Sequence, residues 1–275
     1  MDKIQSAIQK ARAARLTTLA TTAQDGTPTA LPVQSSADMN WAALPELQPN
    51  ADQMERHRIA SFGGGIGAVP FDALRTRLLQ QMRANNWRRL AITSPGSSSG
   101  KTTTCLNLAF SLGRQTDLKT MVIEADLRRP SMAQILGVQQ LHLFASVLKG
   151  TAPASEHFVR YRNNLAFGTN YSNSEHPAEL LHGAQVADVL AGIERDYAPD
   201  LMIFDMPPMQ VSADTIGFVS RVDCVLLVAA AGITTVAQVD ACERELASQT
   251  NVLGVVLNKC QYVDRAQGYD YNYGA

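Results

Sequence analysis

The sequence contains no run of about 18 apolar residues, so no segment is expected to cross a membrane as a helix. Its first residues lack the apolar stretch of a secretory signal. Charge is sparse: 18% of the 275 residues are Asp, Glu, Lys or Arg, and the formal net charge is −1. That balance excludes a global field drawing the molecule to nucleic acid, and no nucleic-acid partner is expected. Only four cysteines are present, Cys105, Cys224, Cys242 and Cys260. They lie far apart, with no CxxC and no Cys/His pairing, so they read as free thiols suited to a reducing cytosol and not as metal ligands. What is plentiful is apolar. Hydrophobic residues make up 45%, which is the composition of a globular chain. The length suffices for one large α/β domain, or one domain with a tail.

Three segments differ in composition. In residues 1–16, Ile4, Ala7, Ile8 and Ala11 recur at helical spacing among Lys3, Lys10, Arg12 and Arg15. The spacing predicts a helix, read either as a short surface helix or as a basic amphipathic helix for a membrane surface or a partner. Residues 17–70 are rich in Thr, Ser, Pro and Gly and close on FGGGIGAVP. They read as a flexible linker with a short anchor around Trp41 and Leu44. The expected organisation is therefore an N-terminal helix and linker over 1–69, a folded domain over 70–261, and a tail over 262–275.

From Pro70 the pattern changes. FDALRTRLLQQMRANN places Leu74, Leu78, Leu79 and Met82 at helical spacing. RRLAITS, KTMVIEAD, NLAFGT, LMIFDMP, DCVLLVAAA and NVLGVVLNK read as strands. They are short, rich in Val, Ile and Leu, and apolar on both faces, as a sheet covered on both sides requires. Helical patterns fall at 101–114, 178–195, 211–220 and 235–249. The alternation argues for an α/β fold with a doubly wound, mainly parallel sheet. In such sheets ligands bind outside the carboxyl ends of the strands.

Three strand ends carry chemistry. The first runs into TSPGSSSGKTTT, where Gly96, Ser97, Ser98, Ser99 and Gly100 precede Lys101, Thr102 and Thr103 at the start of a helix. A small-residue loop followed by GK[ST] turns backbone N–H groups toward phosphate oxygens. Lys101 then neutralises the β- and γ-phosphates, and the Thr102 hydroxyl ligates magnesium. The match to GxxxxGK[ST] is imperfect, because Pro95 holds the first glycine's place and Gly96 comes one residue late. The alternative is an ordinary serine-rich turn. The second strand ends in VIEADLRRP. Glu124 and Asp126 are two apart and share one side of an extended strand. Carboxylates there suit magnesium, or acceptance of a proton from an attacking hydroxyl. Arg128 and Arg129 read either as a structural fork with carboxylates or as contacts to phosphate or a neighbouring subunit. The third, LMIFDMPPM, delivers Asp205 to a strand end that Pro207 and Pro208 stop at once, a second place to hold magnesium.

With these motifs the sequence resembles the bacterial tyrosine autokinases (BY-kinases) of exopolysaccharide synthesis, over roughly residues 70–275. ITSPGSSSGKTTTCLNLA resembles their Walker A segment, VIEADLRRP their hhhDxDLRRP, IFDMPP their hhhD[ST]PP, and HPAELL at 176–181 their NPxELL. GVVLNK at 254–259 resembles another of their strands. The family ends in a tyrosine cluster, and this chain ends in QGYDYNYGA. The resemblance implies a P-loop NTPase-type fold, ATP and Mg2+ as cofactors, and a protein-tyrosine kinase that phosphorylates Tyr269, Tyr271 and Tyr273. Lys101, Glu124, Asp126 and Asp205 are the implied catalytic set, with Thr102, Asp126 and Asp205 at magnesium and residues 96–103 at the nucleotide. It also implies self-association for phosphorylation in trans. A separate membrane chain-length protein is the implied partner, with the kinase cytoplasmic and peripheral to the inner membrane. Three single positions and one motif depart from the family. Glu124 replaces the first Asp of DxD, Ser98 stands where Gly is usual, and Met206 replaces a Ser or Thr. The oligomer motif ExxRxxR aligns with Val69, Asp72 and Arg75, keeping only its last Arg. Two other functions fit the same strand ends. One is a non-catalytic nucleotide-binding adaptor of the polysaccharide machinery. The other is a switch ATPase like ParA and MinD, which carry a signature lysine where this chain has Gly96.

Overall fold

The computed structural model describes residues 35–138, 141–211 and 213–260. The expected helix over 1–16 and the tyrosines of the 262–275 tail lie outside those residues. Short helices come first: α1 (Ser36–Ala43), α2 (Ala51–Arg56) and α3 (Ala60–Gly63), then the longer α4 (Val69–Ala84). Strand β1 (Arg89–Thr93) leads into α5 (Lys101–Leu112). Then follow β2 (Thr120–Glu124), α6 (Met132–Leu136), α7 (Phe144–Leu148), β3 (Phe158–Tyr161) and β4 (Leu165–Gly168). Next come α8 (Pro177–His182), α9 (Gln185–Tyr197), β5 (Leu201–Asp205) and α10 (Asp214–Phe218). The series ends with β6 (Cys224–Ala230), α11 (Val236–Ala247) and β7 (Asn251–Asn258).

The seven strands form one sheet in the order β3-β4-β2-β5-β1-β6-β7. Every neighbouring pair is parallel except β3 with β4. Alternation along each central strand feeds two cores. Met121, Ile123, Met202 and Phe204 enter one, while Val122, Leu90, Ile92 and Ile203 enter the other. Their zero or near-zero exposure explains why these strands read as continuous apolar runs. All six strands expected from the sequence are present. β3 was not expected: FVRY is four residues long, carries Arg160, and lies at the sheet edge, so it has no apolar run to announce it. The helical pattern over 178–195 is two helices, because Gly183 takes an extended conformation between α8 and α9. Cys105, Cys224 and Cys242 are buried free thiols and Cys260 is exposed.

The expectation of a linker through residue 69 is corrected over 36–68. Trp41 and Leu44 join one core, as the anchor suggested, but Leu47, Met54 and Ile59 join the other. The segment also covers the outer edge of β3. Arg160 N–H donates to Pro45 O at 2.8 Å and Leu47 N–H donates to Arg160 O at 2.7 Å. Its apolar residues are too widely spaced to show a period, and each fills a separate hole that exists only in the folded domain. Trp41 is 2% exposed. Its Nε1–H donates to Tyr197 O at 2.7 Å, its ring meets the Tyr197 ring edge-on, and the Lys119 Nζ lies 5.7 Å from its centroid. Trp41→Ala should therefore lower unfolding free energy by about 3–5 kcal/mol, read from urea denaturation. A change below about 1 kcal/mol would mean that the segment contributes little to the fold.

Candidate active site

β1 ends at Thr93, and the loop from Ser94 to Gly100 turns the chain into α5. The loop is held from within and from both neighbours. Ser94 and Ser99 hydroxyls donate to Gly96 O at 2.8 and 3.0 Å. The Thr93 hydroxyl donates to Pro207 O at 2.7 Å, and Met209 N–H donates to Ser94 O at 2.9 Å, tying the loop to the segment after β5. From β7, Asn258 Nδ2 donates to Ser99 O at 2.9 Å. Gly100 has φ +86°, and a Cβ there would lie 2.2 Å from Asn258 Nδ2. Ser98 also has positive φ, +62°, so the position where the resemblance places Gly takes the left-handed conformation that glycine adopts without strain.

Lys101 opens α5, and its ammonium pairs with Asp126 Oδ2 at 2.7 Å. Burial pulls the lysine's pKa down, but Asp205, Asp126 and Glu124 together outweigh it and the net shift is upward, so Lys101 stays charged. The Thr102 hydroxyl donates to Asp205 Oδ2 at 2.6 Å. Asp205 is fully buried, and burial raises its pKa against the pull of Lys101 and the Thr102 bond. Its Oδ1 has no hydrogen-bond partner among the described residues. An orphaned carboxylate oxygen beside a threonine hydroxyl, with Asp126 close by, is a hard-oxygen donor set that fits magnesium.

The expectation of Glu124 as a base or magnesium contact is corrected by its geometry. Glu124 has no exposed surface. Its Oε1 accepts from Ser131 N–H at 2.5 Å and Met132 N–H at 2.7 Å, and its Oε2 accepts from Asn170 N–H at 2.9 Å. Asn170 answers with Nδ2–H to Glu124 O at 3.0 Å. The extra methylene that distinguishes Glu from Asp lets the carboxylate reach these amides and fasten the loop that bears Asp126. Burial lifts its pKa from 4.5 to about 7 despite the three amide donors.

A cavity of about 440 Å3 opens over this group, lined by residues including Ser97, Lys101, Thr102, Asp126, Arg129 and Pro208. Of the two arginines, Arg128 is the structural fork. Its Nε and Nη2 donate to the fully buried Asp214 at 2.7 and 2.9 Å. Arg129 gives its backbone N–H to Asp126 Oδ1 at 3.1 Å, and both arginines line the cavity. Asp214, Asn170 and Asn258 were missed by sequence reasoning. Only Asn258 had a signal, its place at the end of an apolar strand.

Two expectations follow. Glu124 holds a proton in the folded chain that the unfolded chain releases above pH 4.5, so stability should fall as pH rises from about 4.5 to about 7. Glu124→Gln should flatten that part of a urea-stability curve, and an unchanged slope would assign it to another group. Gly100→Ala forces a left-handed residue costing roughly 1–2 kcal/mol and displaces Asn258. It should weaken fluorescent-ATP binding about tenfold or more with the far-UV spectrum retained, and undiminished binding would contradict the bracing of the loop.

The family described as the CobQ/CobB/MinD/ParA nucleotide binding domain matches residues 90–270. The tyrosine-protein kinase CpsD of Streptococcus pneumoniae serotype 4 is 29% identical over 195 residues, which covers 69% of this chain and 82% of that protein. The kinase domain of the Escherichia coli tyrosine kinase ETK superposes with TM-score 0.64 at 29% identity, covering 74% of this chain and 80% of that one. In fold alone, the septum site-determining protein MinD from Pyrococcus horikoshii, complexed with Mg-ADP, is similar at TM-score 0.52 and 20% identity, covering 62% of this chain and 69% of that one. With its strand-end carboxylates, its phosphate-type loop and a family match over most of its length, the chain belongs to the CobQ/CobB/MinD/ParA nucleotide-binding domain family.

Proposed function

We propose that this chain is an ATP- and magnesium-dependent protein-tyrosine autokinase that phosphorylates its own Tyr269, Tyr271 and Tyr273 and regulates exopolysaccharide polymerisation or export. One observation carries the proposal: Lys101, Thr102, Asp126 and Asp205, from three separate strand ends, meet beside one cavity. The names of its relatives, tyrosine-protein kinases, support the choice of acceptor.

In this reading the backbone amides of residues 96–103 cradle the phosphates, and Lys101 shifts from Asp126 to the β- and γ-phosphate oxygens. Thr102, Asp126 and Asp205 would hold magnesium, and the ion would supply neutralisation of phosphate charge. The tyrosine oxygen forms a bond to the γ-phosphorus as the bond to the β–γ bridging oxygen breaks. Asp126, the carboxylate that faces the cavity, takes the phenolic proton. Phosphoryl transfer asks little covalent chemistry of a protein, so positioning and charge stabilisation supply most of the rate. Glu124 and Arg128 act one step back, as anchors of the loop that presents Asp126. Among the described residues no helix is long and apolar enough to cross a membrane. A cytoplasmic chain that meets the inner membrane through a separate chain-length protein, and meets its own copies to phosphorylate in trans, accords with that.

The adaptor reading is favoured by one observation, the enclosure of Glu124 by backbone amides. The two readings separate in one assay. The purified chain is incubated with ATP and magnesium, with and without Lys101→Ala, and phosphotyrosine is mapped by mass spectrometry. The autokinase gives lysine-dependent phosphate on Tyr269, Tyr271 or Tyr273. ATP binding without phosphotyrosine, even with the cytoplasmic tail of the membrane partner added, would leave the adaptor.

A further inference from the structure

The two edges of the sheet are treated differently. The β3 edge is paired by Pro45 and Leu47 and carries Arg160. At the other edge, β7 reads NVLGVVLN, with no charge and no proline. Among the described residues, β6 is the only strand paired with it. A long, uncharged, apolar edge strand is an open template for another strand, and proteins ordinarily protect such edges.

The side chains agree with the backbone. Val255 sits opposite Leu227 and Leu257 opposite Ala229 in register, so both point to the face where Leu227 enters the core. α11 covers β6 on that face with Val239, Cys242 and Leu246 but leaves the outer rim open. Val255 is 45% exposed and Leu257 61%. Ile233 and Val236, where the chain enters α11, add 62% and 77%. Val255 and Leu257 thus present exposed apolar surface beside an edge that no further strand pairs among the described residues, with Ile233 and Val236 exposed at the entry to α11.

One segment of this chain suits this edge by position and pattern. Residues 261–275 begin three residues past Asn258, and Lys259 has φ +60°, a left-handed residue of the kind that reverses a chain. In the antiparallel register that sets Tyr269 opposite Leu257 and Tyr271 opposite Val255, residues 259–268 form the return and the residues after them pair back along β7 from its carboxyl-terminal end. Its Tyr269, Tyr271 and Tyr273 alternate with Asp270 and Asn272. That is the period-two pattern of a strand with one aromatic and one polar face.

We propose that the C-terminal segment docks in cis as an added antiparallel strand on the outer edge of β7, its tyrosines covering Val255 and Leu257. The docked strand shields the phenols, and phosphate at roughly −1.5 to −2 charge each cannot remain on an apolar surface. Phosphorylation therefore releases the segment and bares the edge. The release rests on the kinase reading; the docking does not.

The test is hydrogen–deuterium exchange of residues 251–258, without ATP, at two protein concentrations. The intact chain is compared with a Tyr269→Asp, Tyr271→Asp, Tyr273→Asp variant and with Val255→Lys, which places a charge on the exposed rim. Docking predicts exchange about tenfold faster in both variants, and protection in the intact chain that is independent of concentration. Equal exchange in all three chains overturns the proposal. Protection that grows with concentration also overturns it, because the edge would then be covered by a second copy. No ATP enters the assay, so a failed autophosphorylation assay leaves this result untouched.

Discussion

The structure depends on one constraint: four ionisable groups are buried together, and each must find a partner. Strand order creates the problem and most of its solution. Because β5 lies between β1 and β2, the phosphate-type loop, the end of β2 and the end of β5 are immediate neighbours. Glu124 and Asp205 are register partners across β2 and β5. Two buried carboxylates side by side repel, and a buried charge without a partner costs several kcal/mol. The chain separates their duties. Glu124 turns away to three backbone amides, Asp205 takes the Thr102 hydroxyl, and Lys101 sits among the carboxylates paired to Asp126.

That division has a functional side. Groups committed to other protein groups fix the geometry, and groups free to turn to a ligand in the cavity are available for chemistry. Glu124, Asn170, Arg128 and Asp214 belong to the first kind, and Lys101, Thr102 and Asp126 to the second. Asn258 belongs with the anchors too: it reaches the phosphate-type loop from the last strand, two residues before the described chain ends. The same economy appears on α4, where Asp72 pairs with Arg75 and Arg114 and accepts from the Ser111 hydroxyl. Arg75, the one charge of the assembly motif that remains, also donates to Ser111 O at 2.9 Å and so helps to hold α4 on α5.

The N-terminal segment shows how edges shape the rest. Residues 36–68 pair β3, seat Trp41 beside Tyr197, and send Leu47, Met54 and Ile59 into the second core. The fold thus begins about thirty residues before the expected domain start at Pro70, and among the described residues only the β3 edge of the sheet is covered.

The sequence by itself determined the strands and the chemistry they carry. Six runs of Val, Ile and Leu appear where expected, and GSSSGKTT, EADLRRP and DMPP fall at the strand ends. Such features are local: a period of two, a glycine before a helix and a proline after a strand need only their neighbours to act. Tertiary structure alone decided the strand order, the inward turn of Glu124, the pairing of Arg128 with Asp214, the reach of Asn258 and the seating of residues 36–68. The Glu124–Asn170, Arg128–Asp214 and Asn258–Ser99 bonds join residues 46, 86 and 159 positions apart. No periodicity encodes them, because each depends on where the folded sheet places a distant partner.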